Sequence, residues 1–82
     1  MDNLEVNSFI LNEIVPKYDD VRRFHSHISD KLDLGVEFIF HVRFNMFKDE
    51  LDVLKKNIES DLLKYYNTHG IEPHFIIILN TF

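Results

Sequence analysis

The stretches Val21-Arg22-Arg23-Phe24-His25-Ser26-His27-Ile28-Ser29 and Val36-Glu37-Phe38-Ile39-Phe40-His41-Val42-Arg43-Phe44-Asn45 decide how this chain folds. Alternation across Phe24, Ser26 and Ile28 predicts a strand with Arg23, His25 and His27 on its opposite side. In the second stretch Phe38, Phe40, Val42 and Phe44 form the apolar set, leaving Glu37, Ile39, His41 and Arg43 on the other side. Two apolar sets that face one core require paired residue numbers with an even sum. A register summing to 66 pairs Phe24 with Val42, Ile28 with Phe38, and His25 with His41. The neighbouring sums, 64 and 68, keep those two imidazoles as diagonal neighbours on one face. Directly opposed residues have Cβ atoms roughly 4.5–5.5 Å apart, within reach of a shared metal ion. Val21, Phe24, Ile28 and Leu32 also fit helical spacing; the partner arm selects the strand.

Outside this hairpin the periodicity is helical. A first helix is expected from about Leu4 to Val15, opened by an Asp2–Glu5 capping box and closed by Pro16 and the polar turn 17–20. Val6, Phe9, Ile10, Glu13 and Ile14 share one of its faces. In a second helix Phe47, Leu51, Leu54, Ile58, Leu62 and Tyr65 make a continuous core stripe. Asp49, Glu50 and Asp52 crowd its start, and Gly70 is its expected stop. A third strand, about Glu72 to Asn80, completes the order α-β-β-α-β. Phe75, Ile76, Ile77, Ile78 and Leu79 are apolar on both sides of it, so a cover is expected on each face of the sheet. With two helices available, a second copy of the chain is the expected cover; the rest of a parent protein is the alternative.

Composition narrows the function. At 82 residues the chain is one domain, read here as a fragment of something larger. Having no cysteine, it forms no disulfide, thiolate metal site or thiol nucleophile. A net charge of −5 argues against nucleic acid as a partner. No apolar run approaches the length of a membrane span, so direct membrane insertion is not expected. With two glycines there is no phosphate-cradling loop, and no serine sits in a nucleophile motif. The chain therefore reads as a non-enzyme.

The chemistry left is that of His25 and His41, with His27 two residues along the same face. Neutral imidazoles suit zinc or another divalent transition metal, but two ligands do not complete a site, and a twofold partner would supply the rest. The plainer reading is a pair of surface or interface histidines with no ligand. Arg23 and Arg43 share the face and oppose cation loading unless carboxylates approach. His69 reads as a helix C-terminal residue, while the facing of His74 is open.

The run Val21-Arg22-Arg23-Phe24-His25, then Gly35, then Glu37-Phe38-Ile39-Phe40-His41-Val42, resembles the cytoplasmic C-terminal domain of cation diffusion facilitator transporters. The sixteen-residue separation of His25 and His41, the helix 50–66 and Gly70 before an Ile-rich strand are similar as well. The resemblance implies an α+β, ferredoxin-like or metallochaperone-like two-layer sandwich with a three-stranded mixed sheet. It implies a homodimer on the cytoplasmic side of a membrane, joined to the transmembrane domain of a divalent-cation efflux transporter. Zinc between the paired domains would favour transport, and His25 and His41 carry over as ligands. The chain departs at its end: where the family often has His-x-Asp or His-x-Glu and Pro, this sequence reads Ile78-Leu79-Asn80-Thr81-Phe82, with only the Asn80 amide as a donor. A rival resemblance is to the small C-terminal domain of adenylate-forming CoA ligases of the phenylacetate type, whose diagnostic Gly-Lys is absent here. A metal-free dimerisation module is the third expectation.

Overall fold

The structure, a computed structural model, describes residues 3–28 and 35–81. The Asp2 cap, the hairpin loop 29–34 with Leu32, and Phe82 lie outside the described residues. The elements run α1 (Asn3–Phe9, continuing as a π turn through Ile10–Ile14), β1 (Val21–Ile28), β2 (Val36–Val42), α2 (Lys48–Thr68) and β3 (Phe75–Thr81). The described residues form an α+β domain, with two helical segments and a three-stranded mixed sheet in the order β1-β2-β3. β1 is antiparallel to β2, and β3 is parallel to β2 after the α2 crossover.

One core lies between the helices and one face of the sheet. Val6, Ile10 and Ile14 from the first helix meet Phe38, Phe40 and Val42 from β2 and Leu54, Ile58, Leu62 and Tyr66 from α2. A step of four residues overshoots an α-helical turn by about 40°. The wider π turn, closed by the Val15 N–H to the Ile10 carbonyl at 2.9 Å, offsets that drift and keeps Val6, Ile10 and Ile14 all buried. α2 ends as expected at Gly70, whose φ is +66°. The Ile71 N–H bonds the Tyr66 carbonyl at 2.9 Å and the Gly70 N–H that of Asn67 at 3.1 Å, a Schellman closure. Gly35, at φ +68°, is required for a second reason: a Cβ there would lie 2.1 Å from the His74 carbonyl oxygen.

Four expectations are corrected. The hairpin register sums to 64, not 66, so His25 faces Ile39 and Arg23 faces His41. A bulge at Arg22 lets both Val21 and Phe24 turn inward, which explains why their spacing also looked helical. β2 ends at Val42, and Phe44 and Phe47 leave the core for solvent, 73% and 77% exposed. The α2 stripe accordingly starts at Leu51, and Tyr66 is its buried C-terminal member while Tyr65 is half-buried. Ile28, at the outer end of edge strand β1, is also exposed.

Candidate functional site

The face of the sheet turned away from the helices has three rows of three residues. In register they read His27–Glu37–Ile76, His25–Ile39–Ile78 and Arg23–His41–Asn80. Ile39 is only 8% exposed yet stands outside the core cluster, as its place on this second face requires. Ile76 and Ile78 are half-buried beside it. The face is thus polar along β1 and apolar toward β3.

His25 and His41, diagonal across β1 and β2, stack with ring centroids 5.1 Å apart and an interplanar angle of 27°. The two-residue change of register therefore preserves their meeting, as an even slip must. Near-parallel rings direct their in-plane nitrogen lone pairs side by side. For one ion to sit about 2.0–2.1 Å from a nitrogen of each ring, the rings must rotate toward each other. Asn80 stands directly opposite His41 in the parallel ladder, so the departure at the end of β3 places an asparagine in the same row as that histidine.

His27 does not join that pair. The same register brings Glu37 directly opposite it, and His27 Nε2 lies 2.8 Å from Glu37 Oε1. His74 precedes β3 one row beyond His27, so it stands roughly 13 Å along the strand direction from His25. His69 is the C-cap of α2, its Nδ1–H donating to the Tyr65 carbonyl at 2.9 Å, as its helix-end reading requires. Among the described residues, no group of three or more His, Cys, Asp or Glu is placed to hold a metal ion.

Arg43 is corrected outright. Past the end of β2 it turns from the histidine face to donate from Nε to Asp20, from Nη1 to Asn45 at 2.8 Å and from Nη2 to Glu50 at 2.7 Å. It ties the start of β1 to the start of α2. The Phe47 N–H donates to Glu50 at 2.9 Å, and this bond, with Arg43, holds the Glu50 carboxyl below its ordinary value. Arg43 in turn is pushed further up, first by its bond to Asp20. Asp20, Asn45 and Glu50 are among several polar residues at the three ends that Arg43 joins, so the sequence alone does not single them out.

On the helix side, an open groove of about 620 Å³ runs past Phe9, Lys17, Asp61, Tyr65 and His69. Two of its polar members, Lys17 and Asp61, are paired with each other. The Tyr18 hydroxyl donates to Asp61 at 2.6 Å, and Lys17 Nζ bridges the same carboxylate at 3.0 Å. Burial, then the bond to Asp61, pushes the Tyr18 phenol up. This is a clamp between helices, built around the Phe9–Tyr65 stack with centroids 4.3 Å apart.

No family model matches the chain, and neither a curated protein nor a solved structure matches it. No helix among the described residues is long and apolar enough to cross a membrane.

Proposed function

We propose that this chain is a dimerising regulatory domain that binds a divalent ion, zinc or a transition metal of similar character, through His25 and His41 on its open sheet face. In the fuller form of this reading the fold is metallochaperone-like, within the ferredoxin-like group. The domain serves the cytoplasmic side of a cation efflux transporter. The observation that supports it is the stacked imidazole pair on a sheet face that the chain's own helices leave open. A twofold copy brings a second His25 and His41, which completes four imidazoles for a tetrahedral ion. Asn80, paired in register with His41, would supply an oxygen donor, and His27 joins only by giving up Glu37.

The physics of control follows from charge. Two copies at −5 each repel, and a cation held between them offsets that repulsion at the point of contact. Metal that binds only the paired form stabilises it by mass action. Binding needs unprotonated nitrogens, so acid weakens it. Calorimetry with Zn²⁺ tests the ligand assignment: the wild type and His27→Ala give binding heat, and the double variant His25→Ala, His41→Ala gives none. Equal heats from all three contradict it.

A metal-free dimerisation module is the second reading, favoured by the lack of a three-ligand cluster among the described residues. A dimer that neither chelator nor zinc alters would select it.

A further inference from the structure

The loop between β2 and α2 presents two phenylalanines to solvent, Phe44 and Phe47, with Met46 between them buried. Its backbone is fastened on both sides. Arg43 is bonded to Asp20, Asn45 and Glu50, and the Phe47 N–H is bonded to Glu50. Aromatic side chains on a preorganised loop lose little further freedom on binding, which is the usual condition of an interface hot spot. The acidic start of α2 is accounted for by the helix dipole. Two outward phenylalanines are not.

Beside this loop lies an open groove of about 430 Å³, with Met46 and Leu54 as buried floor and Tyr18, Val53, Asp20 and Asp49 around it. Three carboxylates, Asp20, Asp49 and Glu50, line this groove, and no lysine or arginine among the described residues does. Arg43 is already shared by Asp20 and Glu50, so the excess negative charge falls on the groove rim at Asp49.

We infer that the Phe44–Phe47 loop and its acidic groove form a docking surface for a basic, apolar segment of a partner protein. The phenylalanines meet its apolar residues, and a lysine or arginine lays its aliphatic stem along Met46 with its charge at Asp49. The carboxylates disfavour an anionic membrane surface, which the same phenylalanines would otherwise suit. This surface is built from the ends of β1 and β2 and the start of α2, apart from the His25–His41 face, and does not depend on metal.

The test uses the whole chain and two short synthetic peptides with the same Leu and Phe residues, one with Lys and Arg at its polar positions and one with Glu. Backbone NMR shifts and fluorescence anisotropy are read together. The basic peptide is expected to bind and to move the amides of residues 43–53, while the acidic one does not bind. Phe44→Ser with Phe47→Ser weakens binding roughly tenfold or more, and Asp49→Asn weakens it roughly threefold and reduces its salt dependence. Both variants change exposed side chains, so their circular dichroism should match the wild type. Equal binding of the two peptides, shifts confined to the open sheet face, or undiminished binding by the Phe variants would overturn the proposal. So would Phe-dependent binding to vesicles of anionic lipid.

Discussion

The two faces of the sheet are made by the same three strands and have opposite characters. One carries Phe38, Phe40, Val42 and Ile77 and is sealed by both helices. The other carries the imidazole pair, a His–Glu pair and three isoleucines, with no helix or strand of the described residues packed over it. On the sealed face Phe38, Phe40 and Val42 are at most 1% exposed and answer to packing. The open face mixes a buried isoleucine with titratable groups, which packing does not require. That mixture is why function is sought there.

The contrast makes unequal demands on mutation. Phe40→Ala, at a fully buried site, should cost about 3–5 kcal/mol in urea unfolding. Gly35→Ala comes next, at about 3 kcal/mol, because it combines a left-handed φ with a collision against the His74 carbonyl. Gly70→Ala has the same backbone strain in open space and should cost only about 1 kcal/mol. Ile78→Ala, half-buried on the open face, should lower monomer stability by about 1 kcal/mol or less. If Ile78→Ala instead matched Phe40→Ala, the two faces would not differ as described.

The smallest effect is electrostatic. Glu50 has a folded pKa below its ordinary value of 4.5. Its contribution is therefore present above that value and is lost as pH falls through the depressed one. Denaturation profiles should show Glu50→Gln with a shallower acid limb than the wild type and an unchanged slope at neutral pH. An identical acid limb would remove Glu50 from the account of how the loop is fastened.

Parity made the faces legible before any coordinates. The alternation in β2 assigns Phe38, Phe40 and Val42 inward and His41 outward whatever the even register, and the structure agrees. The register itself was not legible, because the loop 29–34 gives no turn signature that fixes it and the Arg22 bulge is invisible to alternation. Phe44 and Phe47 were misplaced for a reason that periodicity does not contain: Arg43 finds three polar partners and ends the strand. The His27–Glu37 contact was missed for the same two-residue error in register.

The central claim is that the open face receives a second copy through His25 and His41. Sedimentation velocity of the wild type and of the His25→Ala, His41→Ala variant, each with zinc and with chelator, tests it most directly. The account predicts a zinc-dependent dimer for the wild type and none for the variant. A wild type that stays monomeric with zinc in excess, or a variant that dimerises with zinc just as well, would contradict it.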